Sequence, residues 1–300
     1  MKLPISTVIL THNEELNIKH CLESVSGWVR EIVVVDSGST DETVAIARKY
    51  GAKVVTHEFV NQAEQFNWAL DSVPIAGDWI LRLDADEYVL PELRDEIAEA
   101  ITTAPLEVNG FEMKRRVYFW GRWIRHGGYY PTWLLRLFRA GKGYSELRAM
   151  DEHIVMTEGR VEKLEHDFVD ENRKGLSFWV DKHNRYATRE AEEIIATKYE
   201  QNTNIRNYKK LEEQALRAPS GQAGRKRKIK MSFYYRLPLF LRAFLYFIYR
   251  YIFRLGFLDG IKGLVFHFLQ GFWYRFLVDS KIYEKSLRNT NKYESTKNVQ

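Results

Sequence analysis

Trp79-Ile80-Leu81-Arg82-Leu83-Asp84-Ala85-Asp86-Glu87 runs from an apolar segment directly into acids, with two aspartates separated by one alanine. In an extended segment residues i and i+2 point to one side, so Asp84 and Asp86 are expected to address the same ligand. Hard cations favour oxygen donors, and Mg²⁺ is usually held by one or two carboxylates together with substrate phosphates. Mg²⁺ or Mn²⁺ is therefore the expected cofactor. Taken alone, Asp-x-Asp is more often a solvated turn, and its place after a buried strand gives it weight.

The chain before this stretch alternates strands and helices. Residues 5–10 read as a short buried strand. Ile18, Cys21, Leu22 and Val25 then fall at helical spacing, with Asn13 placed as an N-cap. The β-branched run 32–35 stops at Asp36-Ser37-Gly38-Ser39-Thr40-Asp41, and residues 44–50 suit a helix. A strand at 53–56, a helix at 62–70 and the strand 79–83 follow, and Pro91 opens a further helix through Leu93, Ile97 and Ile101. Continuous apolar strands between helices imply a parallel sheet covered on both faces. Ligands bind such sheets beyond the carboxyl ends of the strands, where Thr11-His12-Asn13, Asp36 and Asp84-Ala85-Asp86 all fall. Neither the Gly-x-Gly-x-x-Gly fingerprint nor a Walker A loop is present, which argues against a dinucleotide oxidoreductase and a P-loop NTPase.

The 300 residues carry a net charge of +5 and one cysteine, Cys21. No intrachain disulfide and no Cys-based zinc cluster can form. The N-terminal residues lack a signal-peptide apolar region, and the catalytic part is expected to be cytosolic. Residues 111–139 are aromatic and basic, either facing an acceptor or completing the core.

Thr11-His12-Asn13-Glu14-Glu15, Val35-Asp36-Ser37-Gly38-Ser39-Thr40-Asp41 and Asp84-Ala85-Asp86, in this order and spacing, resemble family 2 glycosyltransferases of the GT-A fold. The branch that includes lipopolysaccharide-core and other cell-envelope glucosyltransferases is the most similar, over roughly residues 3–200. The resemblance implies an α/β, Rossmann-like domain with a mostly parallel central sheet flanked by helices. It implies that Thr11, His12, Asn13, Glu14 and Asp36 hold the nucleoside, and that Asp86, with Asp84, binds metal and nucleotide. The family usually has Tyr where this chain has His12. An acidic residue after the aromatic region serves as base, and Asp151-Glu152-His153 occupies that place. Glu152 is the first choice and Asp151 the second, against a plain charged turn. His166 resembles a histidine that completes the metal or diphosphate site. Lys182 and Arg185, in a Lys-x-Asn-Arg-Tyr cluster, are candidates to neutralise the departing diphosphate, with solvated helix cations as the alternative. Arg82 either binds phosphate or pairs with a carboxylate at the sheet edge.

Residues 218–224 have linker composition, and Arg225-Lys226-Arg227-Lys228-Ile229-Lys230 follows. From Phe233 to Val278 the chain is dense in aromatic and aliphatic residues, yet it holds no uninterrupted apolar run of membrane-spanning length. Arg242, Arg250 and Arg254 fall near one helical face. A basic stripe opposite an aromatic one suits a helix lying on anionic lipid, with a hairpin packed on protein as the alternative. No nucleic-acid-reading module accompanies the basic run. The expected domains are 1–216 for the glycosyltransferase (1–104 nucleotide-binding half, 105–216 acceptor half), 217–232 for a basic linker, 233–286 for an amphipathic membrane-interface region and 287–300 for a disordered polar tail.

The expected activity is metal-dependent, inverting transfer of a sugar from a nucleotide-diphosphate donor, a UDP-sugar foremost, to a hydroxyl of a lipid-linked or envelope glycan. A sugar-phosphate nucleotidyltransferase and a non-catalytic membrane scaffold are the alternatives. Donor sugar, acceptor and oligomeric state are not legible in the sequence.

Overall fold

The computed structural model describes residues 2–147, 152–203, 222, 224–225 and 234–297. The chain divides into two compact units, residues 1–175 and 176–300.

The first unit is built on a nine-stranded sheet. Strands β1 (Leu3–Thr11), β2 (Val29–Asp36), β3 (Lys53–Thr56) and β4 (Trp79–Asp84) run parallel in the order β3-β2-β1-β4. Helices α1 (Ile18–Val25), α2 (Thr43–Lys49) and α3 (Gln62–Ser72) make the crossovers. The β-branched and aliphatic strands bury both faces, as parallel strands do. Ile9, Leu81 and Leu83 pack toward Leu22 and Leu93, while Val8, Val33 and Ile80 pack toward Phe66 and Phe138. The chain then continues through β5 (Glu87–Val89), α4 (Pro91–Thr103), β6 (Val108–Phe119), β7 (Arg122–Trp123), β8 (Trp133–Arg139), β9 (Gly143–Ser145), β10 (Ile154–Met156) and β11 (Arg160–Glu171). Beyond β4 the sheet is mixed: β8 is antiparallel to both β4 and β6, β11 is parallel to β6, and β5 is antiparallel to β11. The expected α/β class holds, with parallel order confined to strands β1 to β4 and the β6–β11 pair.

Two local readings need correction. Helix α1 begins at Ile18 with Asn17 at its N-cap, not Asn13. Asn13 sits in the left-handed region at φ 55° and directs its carboxamide oxygen to the amide of Thr40, 2.8 Å away. It ties two loops together instead of starting a helix. Helix α3, by contrast, is capped as its sequence suggests, with Asn61 Oδ1 accepting from the amide of Glu64 at 2.9 Å.

The second unit contains α5 (Gly175–Thr203), α6 (Leu241–Ile248), α7 (Gly260–His267) and α8 (Tyr274–Lys297), with π-helical stretches at Tyr249–Phe253 and Phe268–Trp273. Ala187, Ala191 and Ile194 of α5 pack on Tyr274, Val278 and Ile282 of α8. That packing places α5 with the C-terminal helices, so the units part at Gly175 and not at 216. Most of the expected linker 217–232 lies outside the described residues. Helix α8 runs on to Lys297, correcting the disordered tail, and no glycine or proline after Gly271 interrupts it.

The basic stripe also needs correction, because its face points inward. Arg242 is fully buried and donates from Nε to Asp279 Oδ1 at 2.8 Å, and Arg250 is buried and bonds Tyr246 Oη at 3.1 Å. Only Arg254 of the three is exposed. A buried guanidinium needs a hydrogen-bonded carboxylate, and Asp279 supplies it. Among the described residues no helix is long and apolar enough to cross a membrane.

His183, on α5, stacks on Trp179 with ring centroids 3.5 Å apart. Burial pulls its pKa down to about 4, the Trp179 carbonyl acting in the opposite direction. A base whose folded pKa is depressed costs stability as pH falls from about 6.5 toward 4. Thermal and urea melts are expected to show about 2 kcal/mol less stability at pH 5 than at pH 8 from this ring, and His183→Gln is expected to flatten that dependence.

Candidate active site

The register of the parallel strands assembles the site. Thr11 at the end of β1 lies beside Asp36 at the end of β2, and Leu10 lies beside Asp84 at the end of β4. Strand order reverses between β1 and β4, and such a reversal opens a crevice at the carboxyl ends of the strands.

Asp36 organises the first wall. Its Oδ1 accepts from Thr11 Oγ1 at 3.0 Å and Ser39 Oγ at 2.5 Å, and its Oδ2 accepts from the amides of Gly38 and Ser39 at 3.0 and 2.8 Å. Four bonds fill the acceptor capacity of a carboxylate, so in this state Asp36 shapes the loop. Asn13 and Glu14 continue the wall, with their amides donating to Ser39 Oγ at 2.8 Å and Thr43 Oγ1 at 2.6 Å. Asp41 accepts from the Thr43 amide at 3.0 Å, just ahead of Glu42 at the N-cap of α2. His12 is exposed on this wall.

Asp84 and Asp86 do not share an extended strand. β4 ends at Asp84, and Ala85 and Asp86 form a turn into β5, so the alternation argument for their common side does not apply. Each carboxylate has its own setting. Asp84 lies 3.3 Å from Arg136 Nη2 and 3.8 Å from Arg82 Nη2. Asp86 Oδ2 accepts from Asn172 Nδ2 at 2.9 Å, and its carbonyl accepts from the Glu171 amide at 2.9 Å. Its Oδ1 takes no hydrogen bond among the described residues. Glu14 stands nearby: burial, and then the charge of Asp86, raise its carboxyl above the ordinary value, opposed by Lys174 Nζ at 2.6 Å. The single thiol, Cys21, lies directly behind the turn, 3.6 Å from the Asp84 carbonyl, and burial holds it protonated.

Arg82 joins the acid turn to the proposed base. It is buried over the Phe66 ring and reaches Glu152 Oε1 at 3.4 Å, as well as Asp84. Glu152 lies two residues before β10, and its side chain is 12% exposed. Asp151 lies outside the described residues. Asp36, Asp84, Asp86, Arg82 and Glu152 therefore border one end of one sheet. A shallow pocket lined by Leu106, Arg139 and Gly159 opens at the other end of the strands, where Arg139 pairs with Trp79.

The family described as glycosyl transferase family 2 matches residues 6–166, more than half of the chain and nearly all of this site. The chain belongs to glycosyl transferase family 2. It is similar to an uncharacterized glycosyltransferase of Rickettsia felis, 46% identical over 93 residues, covering 31% of this chain and 32% of the relative. It is also similar to the lipopolysaccharide core biosynthesis glycosyltransferase LpsC of Rhizobium meliloti, 33% identical over 170 residues, covering 53% of this chain and 60% of that one. The chain thus spans about a third of the first relative's length and 60% of that of LpsC. Among solved structures it has a weak likeness, TM-score 0.31 and 27% identity over 38% of this chain and 44% of that one, to glucosyl-3-phosphoglycerate synthase of Mycobacterium tuberculosis in complex with Mn²⁺ and UDP.

Within this family 2 chain, His166 is not gathered at the site. His166 is half-exposed and bonds Glu96 Oε2 at 2.9 Å. Five residues separate it from Glu171 on β11, roughly 15 Å of strand, which keeps it from the Asp86 turn. Among the described residues no three His, Cys, Asp or Glu side chains cluster to hold a metal. Lys182 and Arg185 lie on α5 in the second unit, the former 5.8 Å from the Tyr186 ring and the latter exposed.

Four site residues were missed by the sequence reading: Arg136, Glu87, Asn172 and Lys174. Arg136 donates to Glu87 Oε1 at 2.5 Å and bridges it to Asp84, while Glu87 Oε2 accepts from the Asp84 amide at 3.0 Å. Burial pushes the Glu87 carboxyl upward against the pull of Arg136. The available signal was a lone arginine inside Leu134-Leu135-Arg136-Leu137-Phe138, the pattern of Arg82 in β4. Arg136→Met is expected to lower stability by about 3 kcal/mol, because it strands a buried acid. Adding Glu87→Gln is expected to recover part of the loss, a comparison that urea denaturation of both singles and the double resolves.

Proposed function

We propose that this family 2 chain transfers a sugar, with inversion, from a nucleotide-diphosphate donor, a UDP-sugar foremost, to a hydroxyl of a lipid-linked or cell-envelope glycan. The observation that carries the reading is the bridge from Asp84 through Arg82 to Glu152. It sets a carboxylate suited to proton abstraction beside the acid turn at the crevice mouth. The similarity to LpsC supports the choice of an envelope acceptor.

Asp86 has the donor set for a divalent cation: a partly exposed carboxylate with one oxygen bonded by Asn172 and the other open. Such a site suits Mg²⁺ or Mn²⁺ that keeps waters and takes its remaining ligands from substrate phosphate. Bound there, the cation supplies Lewis-acid neutralisation of the leaving diphosphate. The loops carrying Thr11, His12, Asn13 and Asp36 form the nucleoside wall. Glu152, oriented by Arg82, removes the acceptor proton as the hydroxyl oxygen forms its bond to the anomeric carbon and the bond to the diphosphate oxygen breaks. A single displacement of this kind inverts the anomeric centre, and general-base catalysis contributes typically 10² to 10⁴ in rate.

Glu152→Gln is expected to lower transfer by about 10²-fold or more while leaving nucleotide affinity near wild type. Asp86→Asn is expected to abolish the Mn²⁺ dependence of nucleotide binding. Release of nucleoside diphosphate, with titration calorimetry of the nucleotide with and without Mn²⁺, separates the two. A fully active Glu152→Gln enzyme removes Glu152 as base, and metal-independent binding in the wild type removes the metal from the scheme.

A further inference from the structure

The second unit has its polarity reversed around the turn between α6 and α7. Phe253 and Ile261 are 73% and 72% exposed, and Phe244, Leu255 and Leu258 are about half exposed. Several charged side chains instead point inward. Arg242 and His267 are 0% exposed, with Asp279 and Asp259 as their partners. Water-soluble units bury large apolar side chains and expose charges, and a contiguous apolar patch of this kind marks an interaction surface. Inside lipid the rule is the opposite, with ionisable groups facing the protein interior and paired there. Leu255 sharpens the contrast, since it holds a left-handed backbone at φ 59°, where glycine is the default, and still presents its side chain outward.

Charge selects the occupant. From residue 234 to 278 the sole acid is Asp259, which is buried, while Arg254 and Lys262 are exposed on the same turn. The basic run 225–230 precedes this region in sequence. Cations rimming an apolar tip complement anionic headgroups above acyl chains. A two-fold contact between copies through this face would bring like charges together. Length sets the depth: residues 241–253 rise about 20 Å, short of the ~30 Å hydrocarbon layer.

We propose that the turn between α6 and α7 inserts its exposed apolar side chains into one leaflet of an anionic lipid bilayer, with Arg254 and Lys262 at headgroup level. This differs from a basic stripe lying on the membrane, because apolar insertion holds the protein and the buried arginines hold the hairpin. It does not depend on the glycosyl-transfer reading.

Cys21 is buried, so a thiol-reactive, environment-sensitive fluorophore can be placed on the full chain at Phe253→Cys, with Leu106→Cys, 88% exposed in the first unit, as the control. Phosphatidylcholine vesicles with and without phosphatidylglycerol are the probe. The expected result is a blue shift and quenching by acyl-chain quenchers at 253 and neither at 106, stronger with phosphatidylglycerol. In co-sedimentation, binding is expected to survive high salt in part, and Phe253→Ser with Ile261→Ser is expected to weaken partition by about tenfold or more with an unchanged circular dichroism spectrum. The proposal is overturned by any of three results: equal responses at the two labels, complete release by salt, or self-association that the double variant abolishes in a protein that ignores vesicles.

Discussion

The site depends on one constraint: an acid-rich turn at the end of a buried strand must be electrically balanced from within the sheet. Asp84 ends β4 with its side chain partly exposed, and Glu87, three residues later, is buried. Unpaired carboxylates there would take protons or unfold the turn. Arg82 and Arg136, one on β4 and one on the antiparallel neighbour β8, supply the counter-charge. The mixed second half of the sheet therefore has a purpose beyond packing, since only a strand beside β4 can bring Arg136 to this turn. The same arginines connect outward, Arg82 to Glu152 and Arg136 to Glu87, so the balance of charge also fixes the position of the proposed base.

Much of this was legible in the sequence, and for identifiable reasons. The strands β1 to β4 are apolar runs that stop abruptly at polar residues, a pattern with one reading. Parallel pairing then forces Thr11, Asp36 and Asp84 to one end whatever the details of register. The failures come from contacts that local pattern does not encode. Nothing near Asn13 announces that its carboxamide belongs to the Thr40 loop, and i,i+2 spacing does not say whether Asp84-Ala85-Asp86 is strand or turn. Asn172 and Lys174 follow β11 and come to Asp86 and Glu14 only through the β11–β5 pairing. Spacing identified a helical face in Arg242, Arg250 and Arg254, but which face is inside depends on Asp279, 37 residues from Arg242.

The two units solve opposite solvation problems with the same chemistry. In the first, buried arginines steady the acids of the turn after β4. In the second, Arg242 bonds Asp279 and His267 lies 3.6 Å from Asp259, both pairs buried beneath an outer surface that is largely apolar. Replacing such pairs with hydrocarbon would often preserve stability in water.

The chain leaves the site through a short tether. Asn172 grips Asp86, Lys174 grips Glu14, and the next residue, Gly175, at φ 82°, opens α5. Followed back along the chain from α5, this glycine comes first, and then the two side chains that hold the Glu14 loop and the acid turn.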